Sequence, residues 1–195
     1  MTALHAEYVA RSSVWSDIQG HLPTLHDSVL EYPNAVVLEL GVRWGTSTSA
    51  LLAGVEVVSG HLWSVDINPP QVPDWWRLTD LWTLTVGDDL AVSVIEAQPA
   101  ELDVLFIDTS HAYDHMLAEL RTYVPRVKPG GVVLCHDTEL EAPEMVGMQP
   151  PFPVARALDV FCDETGRSWT NNTGSYGLGI IRIPSEPDAG GDRDG

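Results

Sequence analysis

Continuous apolar runs, rather than alternating apolar and polar residues, dominate the middle of the chain. The clearest are residues 35–41, 61–67, 102–108 and 131–137, and a weaker run covers residues 82–86. Continuous runs of this length are typical of strands that are buried on both faces of a parallel sheet. The pattern therefore predicts five strands in the central part of the chain.

Segments with helical spacing separate these strands. They cover residues 47–54, about 73–81, 88–97 and 113–124. Strands that alternate with helices indicate right-handed βαβ units and a parallel sheet, so we expect an α/β fold. The sequence "RVKPGGVVL" predicts a turn before the fifth strand.

The two ends of the predicted domain have a different pattern. Residues 1–33 form a lead-in, in which residues 12–31 carry apolar positions at mixed helical spacing, broken by Gly20 and Pro23. This pattern predicts one or two N-terminal helices.

The C-terminal region begins with a predicted helix at about 153–165. The segments "RSWTNN" and "YGLGIIRI", separated by a short turn, predict an antiparallel pair of strands at one edge of the sheet. We expect a single domain over residues 1–183 and a disordered acidic tail over residues 184–195.

Charge and composition narrow the classes of partner. The 195-residue chain has a formal net charge of -18 and only ten Lys and Arg residues. Such a surface repels phosphate backbones and anionic lipids, so we expect no nucleic-acid or membrane partner. The N-terminus lacks a signal-peptide pattern, which favours a cytoplasmic protein. Cys135 and Cys162 lie in apolar contexts and are expected to be buried free thiols.

The segment "VVLELGVRWGTSTSALLAG", residues 36–54, follows the first strand with a glycine turn. Ligands of open parallel sheets bind beyond the carboxyl ends of the strands. No lysine is present, so the turn is not a phosphate-binding P-loop, and "GVRWGT" lacks the dinucleotide pattern GxGxxG. S-adenosylmethionine (SAM) has no phosphate and carries a positive sulfonium, which suits the carboxylate of Glu39.

Within this turn, Gly41 allows a sharp bend and Gly45 allows close backbone approach. The hydroxyl residues that follow can cap the next helix; they are Thr46, Ser47, Thr48 and Ser49.

Acidic residues also end or follow the next two strands. Asp66 suits a bidentate contact to ribose hydroxyls, a geometry shared by NAD and SAM. Asp88 could cap the following helix or accept a hydrogen bond from an adenine amino group.

In order and spacing these segments, together with "FIDTSHAYDH" and "GGVVLCHDT", resemble class I SAM-dependent methyltransferases. The chain is most similar to the small catechol O-methyltransferase-like branch and its cephalosporin-hydroxylase-type bacterial relatives, from about residue 35 to 138. The resemblance implies a Rossmann-like three-layer sandwich with a mostly parallel seven-stranded sheet and an antiparallel C-terminal edge strand. It implies cofactor-binding residues Glu39, Gly41, Gly45, Thr46, Ser47, Asp66, Asp88 and Asp108.

The ends of the fourth and fifth strands carry Asp108, His111, His136 and Asp137. Two carboxylates and two imidazoles at one rim suit either a divalent cation or a histidine acting as general base. Strand alternation predicts that His136 and Asp137 point to opposite faces, with Asp137 at the site and His136 structural. His115 is expected on a solvated face.

The resemblance bears on both alternatives. In metal-dependent members the cation is held by acids that match Asp108 and Asp137 and by an amide at the position of Thr138. This gives Asp108, Asp137 and Thr138 as metal candidates for Mg²⁺ or another divalent cation. Some members place a catalytic lysine where this chain has His111, so His111 and Asp108 are the catalytic candidates.

These observations predict a SAM-dependent methyltransferase that acts on the oxygen of a small hydroxylated molecule. A SAM-binding subunit without transfer activity, or a nicotinamide-dependent reductase, are the alternatives. Trp44, Trp75 and Trp76 could wall a flat acceptor pocket or simply pack. Residues 138–153 could form a lid or a homodimer contact.

Overall fold

The computed structural model describes residues 1–141 and 150–185. Within them, seven strands form one sheet in the order β3-β2-β1-β4-β5-β7-β6. The strands are β1 Val36–Leu40, β2 His61–Asp66, β3 Trp82–Val86, β4 Leu102–Ile107, β5 Val127–His136, β6 Thr170–Asn172 and β7 Leu178–Arg182. Strands β1 to β5 pair in parallel, whereas β7 is antiparallel to both β5 and β6. The mostly parallel Rossmann-like sheet is thus confirmed, with β6 outside β7 at the edge.

Helices cover both faces of the sheet. They are α1 Ala3–Ser12, α2 Leu22–Leu30, α3 Thr46–Val58, α4 Val92–Ala97, α5 Tyr113–Tyr123 and α6 Pro153–Thr165. Successive strand residues enter opposite cores: Leu105 packs with residues of α5 and α6, and Phe106 packs with residues of α1, α2 and α3. Each central strand is therefore buried on both sides, which explains its continuous apolar run.

The order of the strands positions the site. From β1 the chain moves outward to β3, and it then returns to the other side of β1 for β4. The carboxyl ends of β1 and β4 thus flank the point where strand order reverses, which is where open α/β sheets bind ligands.

Three predicted elements have different bounds. The segment 73–81 contains only a short 3-10 helix, Asp74–Leu78, in a proline-rich stretch. The predicted helix 88–97 begins at Val92, because Asp88 and the residues after it form a turn. The expected turn around Gly130 lies within β5, at an irregularity in its pairing with β4.

Several other sequence expectations can be compared with the described residues. Cys135 and Cys162 are buried free thiols, as predicted. None of the helices described is both long and apolar enough to cross a bilayer. Residues 142–149 of the predicted lid and residues 186–195 of the predicted acidic tail lie outside the described part of the chain.

Candidate functional site

A cavity of about 380 Å³ opens at the carboxyl ends of β1 to β4. Its wall contains four of the predicted cofactor-binding residues: Gly41, Asp66, Asp88 and Asp108. Arg43, Trp44, Asp89, Thr109, Ser110 and His115 also line it. The acidic wall suits a cationic, hydroxyl-bearing ligand and is unfavourable for a pyrophosphate.

Gly41 is the point at which the chain turns out of β1. Its φ is +92°, and a Cβ placed there would lie 1.9 Å from the Asp108 carbonyl oxygen. The Gly41 N–H donates to the Val65 carbonyl at 2.9 Å, and the Asp108 N–H donates to the Leu40 carbonyl at 2.8 Å. The turn is therefore fixed between its two neighbouring strands at a position that only glycine can occupy.

Gly45 serves a different purpose from the predicted one. It takes φ +75° at the N-cap of α3, and a Cβ there would lie 2.7 Å from side-chain atoms of both Trp76 and Val72. The glycine is needed because Trp76 packs against it, and it does not line the cavity. Trp76 is a core residue, whereas Trp44 is 51% exposed and lines the cavity.

Glu39 lies beneath the turn and does not reach the cavity wall. Its side chain is fully buried and accepts hydrogen bonds from the hydroxyls of Ser47 at 2.7 Å, Thr48 at 2.9 Å and Ser64 at 2.7 Å. Burial raises the pKa of Glu39 to about 7, although the three hydroxyls oppose this shift.

The expectation that the hydroxyl residues cap α3 is therefore wrong. The helix has Gly45 at its N-cap, without a side-chain cap, because Ser47 and Thr48 turn inward to solvate Glu39. Ser49 donates to the Thr46 carbonyl.

Asp66 connects the turn to the end of β2. Its Oδ2 accepts the backbone N–H groups of Val42 at 2.9 Å and Arg43 at 2.8 Å, and its Oδ1 accepts the N–H of Asn68 at 2.9 Å. A carboxylate has about four acceptor positions. The carboxylate therefore has room for about one more donor, fewer than the two that the predicted bidentate ribose contact requires.

Asp88 lines the cavity on the side of β3. Its Oδ1 accepts the Leu90 N–H at 3.0 Å. The N-cap of α4 is Ala91, so the interpretation of Asp88 as a helix cap is wrong.

Asp108, His111 and Asp137 come together at the ends of β4 and β5, as the sequence predicts. His111 Nε2 lies 2.7 Å from Asp137 Oδ2 and 3.4 Å from Asp108 Oδ1. His111 and Asp137 have φ values of +54° and +67°, a conformation that is costly for residues with side chains and is concentrated at functional sites. Burial lowers the pKa of His111, but its hydrogen bonds to the carboxylates of Asp108 and Asp137, together with their negative charges, raise it to about 9.

His136 contacts the same two carboxylates, which corrects the prediction from strand alternation. Its Nδ1 lies 3.2 Å from Asp137 Oδ2 and 3.5 Å from Asp108 Oδ1. The alternation fails because the left-handed backbone of Asp137 ends the strand and redirects its side chain. Burial lowers the pKa of His136, but the two carboxylates raise it to about 10.

Thr138 is separated from this cluster by its own hydrogen bond. Its hydroxyl donates to Asn171 Oδ1 at 2.6 Å, on the side of β6.

A carboxylate oxygen from each of Asp108 and Asp137 and a ring nitrogen of His111 lie within 4.8 Å of one another. Such a set of oxygen and nitrogen donors fits a divalent cation.

A second acidic cluster under the cavity was not predicted. His115 Nε2 lies 3.1 Å from Asp89 Oδ1 and 3.5 Å from Glu119 Oε1, so His115 does not lie on a solvated face. The His115 ring donates to the carboxylates of Asp89 and Glu119, and these hydrogen bonds raise its pKa. Glu119 is fully buried and accepts from the Thr109 hydroxyl. The spacing of His115 and Glu119, one helical turn apart, was the available signal.

A neighbouring cavity of about 320 Å³ lies between the α1–α2 connection and the glycine turn. Trp15, Asp17, Trp44, Thr46, Ser47 and Asp108 are among its lining residues. Asp108 and Trp44 thus border both cavities, and Asp108 joins them to the His111 cluster.

Residues 38–138 match the Methyltransf_24 family, which is described as a methyltransferase domain. The chain belongs to this family of class I SAM-dependent methyltransferases. A search of curated proteins found no match.

Solved structures of other methyltransferases share the fold. The O-methyltransferase TomG from Streptomyces achromogenes, involved in tomaymycin synthesis and solved with SAM, is 16% identical over 95% of this chain and 91% of that chain, with a TM-score of 0.65. MycE of the mycinamycin biosynthetic pathway, solved with Mg, S-adenosylhomocysteine (SAH) and mycinamycin VI, is 16% identical, with a TM-score of 0.67. The alignment covers 93% of the present chain and 54% of the MycE chain.

A protein from Corynebacterium glutamicum is also similar. It is 13% identical over 96% of this chain and 93% of that chain, with a TM-score of 0.71. At these identities, the three likenesses establish the fold.

Proposed function

We propose that this methyltransferase transfers the methyl group of SAM to a hydroxyl oxygen of a small molecule. The observation that carries the proposal is the position of Asp108, which borders both cavities and contacts His111. SAM in the larger cavity and an acceptor in the smaller one would meet beside this cluster. The Mg-bound MycE and the O-methyltransferase TomG, which share the fold, support the choice of chemistry.

The larger cavity fits SAM in the chemistry of its wall. Gly41 leaves space that a side chain would fill, and Asp66 keeps an acceptor position for a ribose hydroxyl. Asp88 is exposed at the opposite side, where its second carboxylate oxygen could accept from an adenine amino group. When bound, SAM supplies an activated methyl group on a positive sulfur.

Glu39 acts through other residues in this proposal. Since it is enclosed by hydroxyls beneath the turn, it fixes the start of α3. Gly45 makes room for Trp76 and so orders the same turn. Thr46 and Ser47 face the smaller cavity, where they can contact the acceptor or the methionine end of SAM.

His111 is the proposed general base. Its imidazole is partly exposed and is oriented by Asp137 at 2.7 Å. It takes the proton from the acceptor hydroxyl while the oxygen forms a bond to the methyl carbon; the carbon–sulfur bond breaks, and its electron pair stays on sulfur. Asp108 and Asp137 stabilise the imidazolium that results.

The carboxylates of Asp108 and Asp137 would also hold a divalent cation. A cation at this position would lower the pKa of the acceptor hydroxyl and fix its oxygen in line with the methyl group. Thr138 is the weakest of the three predicted metal ligands, since its hydroxyl is directed toward Asn171.

The acceptor is proposed to be flat and small. Trp15 and Trp44 are exposed and line the smaller cavity, where aromatic rings can contact a planar acceptor.

A library of small phenols and other hydroxylated compounds, incubated with the protein and SAM, tests the proposal by mass spectrometry of methylated products. Asp108→Asn and His111→Gln are expected to lower product formation on the order of a hundredfold or more. Asp74→Asn, an exposed position on the 3-10 helix, is the control.

Two results would contradict the proposal. One is full activity in both cluster variants, which would remove the assigned reaction centre. The other is SAM binding with no product from any hydroxylated compound, which would favour a SAM-binding subunit without transfer activity.

A further inference from the structure

The orientation of the buried His136 ring is fixed by a backbone carbonyl. His136 Nε2 lies 2.8 Å from the carbonyl oxygen of Ser175. A carbonyl oxygen only accepts, so Nε2 carries a hydrogen. Nδ1 is fully buried and has no hydrogen-bond partner among the described residues. The nitrogen is nevertheless beside two carboxylates, so the three groups are placed to share a cation.

This nitrogen faces the two carboxylates of the cluster. Its separations from Asp137 Oδ2 and Asp108 Oδ1 are 3.2 and 3.5 Å. Ligand atoms about 2.1 Å from a common metal ion lie roughly 3 Å apart, so these separations resemble neighbouring positions in a coordination shell.

The contact to Ser175 has the form expected around a metal ligand. A histidine that binds a metal through one ring nitrogen usually donates its other N–H to a backbone carbonyl or carboxylate, which sets the tautomer and the ring orientation. His136 shows this arrangement from the side of the ring that faces away from the carboxylates.

We infer that His136 binds a divalent cation through Nδ1, together with Asp108 and Asp137, and that this nitrogen gives the site a preference for transition-metal cations over Mg²⁺. The inference rests on the cation site of the proposed function. In this arrangement the third ligand is His136, the residue before Asp137, instead of Thr138, the residue after it. The more exposed His111 then remains available to act as the base. Imidazole favours cations such as Co²⁺, Ni²⁺ and Zn²⁺, whereas Mg²⁺ favours all-oxygen sites.

His21 provides a matched control. It is also buried, its Nε2 lies 2.7 Å from the Gly174 carbonyl, and its ring packs edge-on against His136 with centroids 6.0 Å apart. Among the described residues His21 forms no ion pair with a carboxylate, whereas His136 lies beside two. His21→Gln therefore perturbs the same packing without removing a proposed ligand.

The first experiment is a titration of the metal-free protein with Co²⁺ and Mg²⁺, followed by calorimetry and by Co²⁺ visible absorption. Wild-type protein is expected to bind one Co²⁺ at least about tenfold more tightly than Mg²⁺. His136→Gln should weaken Co²⁺ binding on the order of tenfold or more and affect Mg²⁺ less. His21→Gln should leave both affinities unchanged.

A second experiment identifies the nitrogen. With Mn²⁺ as the probe, pulsed EPR should detect ¹⁴N coupling in the wild type and in His111→Gln, and none in His136→Gln. If His136→Gln does not fold, ¹⁵N-histidine NMR of the wild type with Zn²⁺ replaces it, and Nδ1 of His136 should show the shift expected of a metal-bound nitrogen.

The inference is overturned if no cation binds, if the ¹⁴N coupling survives in His136→Gln, or if it is lost in His111→Gln alone. Methyl transfer by chelator-treated protein separates the two proposals. Activity without cation binding removes the His136 inference and leaves the proposed function intact. Cation binding through His136 with no product from any acceptor supports the His136 inference and removes the proposed function.

Discussion

His111 Nε2 lies 2.7 Å from Asp137 Oδ2, although the two residues follow different strands. Both residues adopt a left-handed backbone conformation, and together with Asp108 they form a rim at which opposite charges are paired. This pairing makes the protonation state of His111 depend on its neighbours.

The first prediction is that His111 titrates near pH 9 in the metal-free protein. Asp137→Asn removes one of the two negative charges, so the pKa should fall toward the ordinary value of about 6.5. NMR of the imidazole ring measures both values. His61, on β2, is the control because it is distant from Asp137 and its burial lowers its pKa.

The same titration predicts the pH dependence of activity in the metal-free protein. A base acts only when it is deprotonated, so kcat/KM should rise about tenfold per pH unit and level off above about pH 9. A profile that is flat between pH 7 and 9, with His111 titrating as stated, would exclude it as the base.

The second prediction concerns Gly41. Gly41→Ala places a Cβ against the Asp108 carbonyl at φ +92° and should lower the free energy of unfolding by roughly 4 kcal/mol or prevent folding. Gly174→Ala is the matched control, since its φ is +85° and its Cβ would meet open space among the described residues. It should cost only about 1 to 2 kcal/mol, measured by urea unfolding. Equal costs would show that the clash is relieved by a small backbone movement.

The third prediction follows from the buried carboxyl of Glu39. Its pKa rises from 4.5 to about 7 on folding, so its contribution to stability is complete below pH 4.5 and is lost as the pH rises through 7. Glu39→Gln has no such titration. The free energy of unfolding of Glu39→Gln minus that of wild type should therefore be about 3 kcal/mol larger at pH 8 than at pH 4.5, because only wild type loses stability as the pH rises.

Urea unfolding of both proteins at the two pH values measures this difference. Glu31→Gln is a control of opposite sign, because the hydrogen bond from Arg182 lowers the pKa of Glu31. If the difference between Glu39→Gln and wild type is the same at both pH values, Glu39 does not titrate as stated.

The fourth prediction separates the two roles of Asp66. Asp66→Asn loses charge at a group that accepts the N–H groups of Val42 and Arg43, and it also loses a contact to the proposed ribose. The affinity for SAH should fall about ten- to hundredfold, measured by calorimetry. Asp74→Asn should bind SAH like wild type. Unchanged affinity in Asp66→Asn would mean that the carboxylate only orders the turn.

The apolar runs were sufficient to predict the strands because central parallel strands are buried on both faces. Leu105 and Phe106 are adjacent in sequence and enter different cores, so both positions are apolar. The turn after β1 could also be located from the sequence, because its glycines interrupt an otherwise apolar segment.

The orientation of individual side chains was less accessible. Glu39 was expected at the cofactor, yet three hydroxyls from α3 and β2 enclose it. His136 was expected to point away from Asp137, because alternation assumes that the strand continues. Neither the inward hydroxyls nor the positive φ of Asp137 can be deduced from local sequence, since both depend on contacts between distant segments.

The sheet ends, on the side of β7, in a strand of only three residues. Thr170, Asn171 and Asn172 are all polar and exposed. An incoming strand from another molecule would find few backbone groups to pair with and no apolar surface to cover. Aggregation by edge-to-edge growth of the sheet is thus discouraged at this border.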